Sequence, residues 1–144
     1  MKLGRFKTEN EQQTEALAQE FAQGLTAGDV VAFFGTLGMG KTAFTRGMAK
    51  GLGIEESVSS PTYALVHEYE GRINLYHFDM YRVDGWDDLY STGFFEYLEM
   101  GGVVAVEWSE NIENALPDNT IFVTISVGEN ENERIIDIER GRGS

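Results

Sequence analysis

The sequence predicts an α/β fold built on parallel strands, and three observations carry that prediction. Asp29 to Phe34 and Val103 to Glu107 are short, almost wholly apolar runs of strand length, as expected of strands covered on both faces of a sheet. A glycine-rich loop, Gly35 to Thr42, follows the first run at once, and behind it Phe44, Met48 and Leu52 recur four apart, the spacing of a one-sided helix. Two further pairs of segments flank turn-like sequences and read as hairpins.

The chain has 144 residues, 11 Lys and Arg, 24 Asp and Glu, and a formal charge of −13. That length fits one domain over residues 1–144, which buries roughly 68–70% of the surface of its unfolded chain. With no Cys, disulfides, Cys-ligated zinc and thiol catalysis are all excluded. The opening decapeptide has basic residues but no apolar stretch, so no secretory leader is expected. The longest wholly apolar run, Val30 to Phe34, is far short of the roughly 20 residues that cross a bilayer. A cytoplasmic location without membrane attachment is the expectation.

Charge narrows the partners. From Asp79 to Glu113 there are nine acidic residues against one base, Arg82. Nucleic-acid binding calls for a basic stripe that displaces counterions from phosphates. Direct contact with nucleic acid is therefore not expected; the acidic excess serves either solubility or docking of a basic protein.

Taken in order, Arg5 to Lys7 suits a short strand. Thr8 and Glu11 then have the spacing of a capping box, with Thr8 as N-cap. Thr14, Leu17, Ala18, Phe21 and Leu25 follow helical spacing to a stop at Gly28. After the strand Asp29 to Phe34 and its loop, a helix is expected from Lys41 until Gly51 and Gly53 close it. Tyr63 to Tyr69 and Ile73 to Asp79 form the first hairpin across Glu70 to Arg72. Trp86 to Tyr90 and Phe94 to Glu99 are short helical stretches bracketed by Gly85 and Gly93. Thr120 to Val127 and Arg134 to Glu139 form the second hairpin, and the last few residues are expected to fray.

Gly35-Thr36-Leu37-Gly38-Met39-Gly40-Lys41-Thr42 satisfies G-x-x-x-x-G-K-[ST]. Small residues at this spacing let successive backbone N–H groups turn inward around an anion, and the helix that follows directs its positive end to the same place. Lys41 reaches the β- and γ-phosphates, and the Thr42 hydroxyl serves Mg²⁺. Such a loop needs an acid at the tip of a neighbouring strand. Two strands end in one: Glu107, after four small apolar residues, fits the magnesium shell, and Asp79 fits water positioning or a switch. Ser60 and Thr62 flank Pro61 in a segment suited either to an ordinary turn or to a loop that senses the γ-phosphate. Trp108, beside Glu107, belongs either to the core or against the nucleotide. His77 reads as a packed histidine without a catalytic role, and Arg82 as a phosphate contact or a partner for nearby acids.

These pieces together resemble the TsaE (YjeE) family, small bacterial P-loop ATPases of tRNA threonylcarbamoyladenosine biosynthesis. The residues that carry the resemblance are Gly35 to Thr42, Ser60-Pro61-Thr62-Tyr63, His77-Phe78-Asp79-Met80-Tyr81-Arg82 and Val106-Glu107-Trp108-Ser109-Glu110, in matching order along nearly the whole chain. The resemblance implies a P-loop NTPase-like, mostly parallel central sheet with antiparallel strands added at the edges and helices around it. It also implies ATP and Mg²⁺ as ligands: Lys41 and the loop amides on phosphate, Thr42 and Glu107 on the metal, and Ser60, Thr62, Asp79 and Trp108 lining the site. Thr8, Asn10 and Arg134 match positions near the nucleotide base. The family's usual loop, G-D-L-G-A-G-K-T-T, is changed here at Thr36, Met39 and Ala43, and Thr36 removes a carboxylate.

The resemblance further implies that the chain does not make the modification itself. It acts on a partner pair, TsaB and TsaD, that transfers the threonylcarbamoyl group to the adenosine beside the anticodon, and its ATP hydrolysis resets that complex. Slow hydrolysis by the isolated chain is expected, since no arginine finger stands out. Two other readings share the motif: a small-molecule kinase, which needs several lid arginines, and a nucleotide-dependent binding switch with negligible turnover. A guanine-selecting N-K-x-D sequence is absent.

Overall fold

The computed structural model describes residues 3–34, 38–55, 66–80, 83, 85–107, 112 and 114–141, with only the backbone for residues 38–41. Seven strands form one sheet: β1 (Gly4–Thr8), β2 (Val30–Phe34), β3 (Val66–Tyr69), β4 (Leu75–Asp79), β5 (Val103–Glu107), β6 (Ile121–Val127) and β7 (Arg134–Arg140). Their spatial order is β1-β7-β6-β2-β5-β4-β3. β6, β2, β5 and β4 run parallel, while β7 and β3 run against them. The expected architecture, a parallel centre with antiparallel additions, is the one observed.

Alternation along the strands sorts the core into two layers. Val31, Phe33, Leu75, Val103, Ala105, Ile121, Val123, Ile136 and Ile138 point to one face. There they meet α1 (Glu11–Gln23) and α2 (Gly38–Gly51), through Phe21, Phe44 and Met48, with Leu52 just after α2. Burying a side chain the size of Phe44 contributes about 1.5–3 kcal/mol. The opposite face carries Val30, Ala32, Tyr76, Phe78, Val104 and Val106, covered by α3 (Trp86–Ser91), α4 (Phe94–Tyr97), Ile112 and Leu116. The Tyr97 hydroxyl donates to Glu68 Oε2 at 3.0 Å, tying α4 to β3; burial first, and this bond second, raise the phenol above its usual range.

α1 and α2 touch closely because α2 turns glycines toward α1. A Cβ at Gly47 would overlap the Glu15 carbonyl and approach the Ala18 Cβ to 2.7 Å, and one at Gly51 would lie 2.7 Å from the Ala22 Cβ. Around this seam Arg46 pairs with Glu11 and Glu15, and Lys50 with Glu15.

Three local expectations need correction. The N-cap of α1 is Asn10, not Thr8: Asn10 is extended (φ −158°, ψ 172°) and its Oδ1 accepts from Gln13 N at 2.8 Å. Gln13 Oε1 in turn accepts from Glu9 N, one residue before the cap, at 2.8 Å, so the side chain that reaches back is Gln13 and not Glu11. Thr8 is unavailable as a cap because β1 holds it opposite Arg134, with its hydroxyl 2.6 Å from that of Thr14. α1 also ends earlier, capped by Gly24, while Gly28 (φ +93°) turns the chain into β2. α2 starts at Gly38, a turn before the expected Lys41, so part of the glycine-rich motif is helix.

Candidate functional site

Strand direction decides where the chemistry collects. The parallel strands β2, β4, β5 and β6 all end on one edge of the sheet, and the antiparallel pairing of β1 with β7 and β7 with β6 brings the end of β1 to that edge as well. Ligands of open α/β sheets bind outside the carboxyl ends of the strands. Phe34 ends β2 there, the chain continues into the glycine-rich motif, and α2 opens at Gly38.

The first turn of α2 is formed by Gly38, Met39, Gly40 and Lys41 and holds no acidic residue. Backbone amides of a first turn lack carbonyl partners within their own helix, and such a turn is suited to an anion. Thr42 is half-buried one residue further on, and Ala43 is packed into the core at 2% exposure. Gly35, Thr36 and Leu37 lie outside the described residues, as do Ser60, Thr62, Arg82 and Trp108.

Asp79 and Glu107 face each other in register at the tips of β4 and β5. Each is two residues beyond a side chain on the α1–α2 side of the sheet, Glu107 beyond Ala105 and Asp79 beyond His77 in the phase of Leu75. Both acids therefore point to the face on which α2 lies. Glu107 is buried, and the Met80 N–H donates to its backbone carbonyl at 3.0 Å, which fixes the start of the loop after β4. His77 Nε2 approaches Glu107 Oε2 to 3.1 Å. A histidine two residues before a strand-end acid was legible in the sequence as the same face of the same strand. That it would meet the acid of another strand was not.

Thr8 and Arg134 come together on the same edge, and Asn10 follows two residues after Thr8 at the start of α1. Thr8 and Arg134 are register partners, and both stand in the phase of the α1–α2 face, since Phe6, Ile136 and Ile138 pack there. Arg134 Nη1 donates to the carbonyls of Glu131 (2.7 Å) and Glu133 (2.9 Å). Val127, passed over in the sequence, pairs with Arg134 on that face and is 49% exposed, an apolar surface at the strand tip. Its signal was present as the last apolar position in the alternation of Ile121, Val123 and Ile125.

Beside this group the Glu133 carboxylate accepts from Glu129 N at 3.0 Å and lies 3.4 Å from Lys7 Nζ. The backbone bond chiefly, and Lys7 to a lesser degree, hold its pKa below the usual carboxylate range against the opposing effect of burial.

Among the described residues no three His, Cys, Asp or Glu side chains form a metal cage. Mg²⁺ in phosphate sites needs no cage, because one or two protein oxygens and the phosphates hold it. A buried carboxylate at a strand tip, on the face of the glycine-rich motif, fits that requirement. Among the described residues no helix is long and apolar enough to cross a membrane.

Comparison with known proteins bears on the family of the chain. The model of the family "Threonylcarbamoyl adenosine biosynthesis protein TsaE" matches residues 8–136. A tRNA threonylcarbamoyladenosine biosynthesis protein TsaE from Bacillus subtilis is 41% identical over 135 residues, covering 92% of this chain and 84% of that protein. The protein of that name from Treponema pallidum is 40% identical over 111 residues, covering 77% and 82%. The crystal structure of Bacillus subtilis YdiB superposes with a TM-score of 0.74 at 34% identity, covering 96% of this chain and 85% of that one. The match spans both the glycine-rich motif and the two strand-end acids, and the chain belongs to the TsaE family.

Proposed function

We propose that this protein binds ATP with Mg²⁺ and hydrolyses it as an accessory to threonylcarbamoyl modification of tRNA, acting on a TsaB–TsaD-type protein pair and not on tRNA itself. The observation that carries the reading is the register pair Asp79–Glu107 at the strand tips, on the face of the helix that opens at Gly38. Amides of the first turn of α2 and the Lys41 ammonium bind phosphate oxygens. Thr42 and Glu107 hold the magnesium, which when bound neutralises charge building on the phosphates. Asp79, with Ser60 and Thr62 from the sequence before β3, orients the attacking water. Thr8, Asn10, Arg134 and Val127 flank the nucleotide base, and Trp108 is assigned to the same site.

Membership of the TsaE family supports the pathway, and the charge of −13 supports action through protein. The deciding experiment measures phosphate release from ATP and Mg²⁺, alone and with a purified TsaB–TsaD pair, with no small acceptor added. Release that rises with the pair is the expected result. ADP formed without free phosphate, and only when a small-molecule acceptor is supplied, sinks the proposal in favour of a kinase.

A further inference from the structure

We infer that the outer face of α3 and α4, where the exposed rings of Trp86 and Tyr90 stack with Phe95 among acids, docks an arginine-bearing basic surface of a partner protein. The inference rests on the partner reading above and assigns it a surface.

Trp86 and Tyr90 are 52% and 62% exposed, the largest side chains among the exposed apolar ones described. They are not loose. The Trp86 and Phe95 rings stack at 6.3 Å with 8° between planes, and Tyr90 lies 5.0 Å from Phe95. Phe95 in turn meets the fully buried Phe94 at 5.5 Å, and Phe94 meets Phe78 of β4 at 5.6 Å. The outer rings are thus held in place from the sheet outward while about half or more of each of these two residues, Trp86 and Tyr90, stays exposed to water. Folding explains the burial of Leu89 and Phe94 on the inner side; it does not explain the ordered outer stack.

Charge selects the occupant. From Val83 to Glu133 the sequence has twelve acidic residues and no Lys or Arg. Asp87, Asp88, Glu96 and Glu99 are exposed on or next to the same two helices. Phosphate backbones, anionic membranes and a second copy of this acidic chain are all repelled by such a surface. A guanidinium is attracted twice, by the carboxylates and by the ring faces, and Trp and Tyr with Arg are the residues that dominate interface energies. The position also suits coupling, since α3 begins seven residues after Asp79 in the chain.

The test compares the full-length protein with Trp86→Ser/Tyr90→Ser and with Asp87→Lys/Asp88→Lys, measuring binding to the purified TsaB–TsaD pair at low and high salt, with ATP affinity as the check on folding. The expected result is affinity about tenfold or more weaker for the aromatic variant, at unchanged ATP affinity. The charge variant should associate more slowly and lose the salt dependence seen with the unmodified protein. If the aromatic variant loses ATP affinity, the charge variant alone decides. Equal binding by the unmodified protein and the folded variants overturns the surface assignment and leaves the partner reading standing. No binding by the unmodified protein overturns the partner reading and this inference with it. A dimer in sedimentation that dissolves in the aromatic variant also overturns it, by making the face a contact between copies.

Discussion

His77 Nε2 lies 3.1 Å from Glu107 Oε2, and both side chains are buried. The approach is close but poorly aligned: among the described residues neither ring nitrogen of His77 completes a hydrogen bond. Two opposing effects follow from replacing His77 by Leu. Removing two unsatisfied ring nitrogens favours the fold, while leaving the buried carboxyl group of Glu107 without its polar neighbour opposes it, and the second effect is the larger. His77→Leu is expected to lose about 1–3 kcal/mol in urea unfolding. Adding Glu107→Gln should recover much of that loss; strictly additive effects would show that the two side chains do not interact.

Glu107→Ala should reduce magnesium-dependent ATP turnover far more than it reduces ATP binding without metal. Binding is measured by calorimetry in the presence of a chelator, and turnover by phosphate release with the partner pair present. Equal losses in both would assign Glu107 a structural role only.

Lys41→Ala removes the ammonium expected on the β- and γ-phosphates. ATP affinity should fall by tenfold or more, about 1.4 kcal/mol or greater, with the melting temperature of the nucleotide-free protein unchanged. Unaltered affinity in calorimetry would remove the phosphate-loop argument.

The seam between α1 and α2 depends on glycine. A methyl group at Gly47 meets the Glu15 carbonyl and Ala18, so the helices must separate. Although Ala favours helix over Gly by about 1 kcal/mol, overpacking costs about 1–3 kcal/mol and backbone atoms cannot give way as side chains do. Gly47→Ala should therefore destabilise the protein in chemical denaturation. Unchanged or increased stability would mean that α2 shifts freely.

Glu133 sets a pH dependence. Its pKa is lowered in the folded state by the Glu129 N–H first and by Lys7 to a lesser degree. The carboxylate therefore stabilises the fold at pH values above the ordinary Glu range, and that contribution disappears as pH falls through its depressed folded value. Glu133→Gln should lower stability at neutral pH and flatten the decline of stability on acidification. Denaturant midpoints at several pH values give the comparison; parallel curves for the two proteins would exclude a role for this group.

Much of the molecule was legible in the sequence because local signals suffice for local structure. The short apolar runs marked β2 and β5, and the segments flanking turn-like sequences marked both antiparallel pairs, β3 with β4 and β6 with β7. The helix start at Asn10 was misplaced because a side chain's tertiary engagement, Thr8 with Thr14 and Arg134, overrode a locally plausible cap. Ser60, Thr62 and Trp108, important to the sequence argument, lie outside the described residues.

By itself the sequence determined the glycine-rich motif, the two acids closing their strands and the acidic surface, since each depends on neighbours a few positions away. Only the tertiary structure decided which strands adjoin. It set Asp79 opposite Glu107, brought Thr8 beside Arg134 and turned His77 toward Glu107. Register between distant strands is fixed by packing α1 and α2 on one face and α3 and α4 on the other, and no periodicity within a single segment encodes that choice.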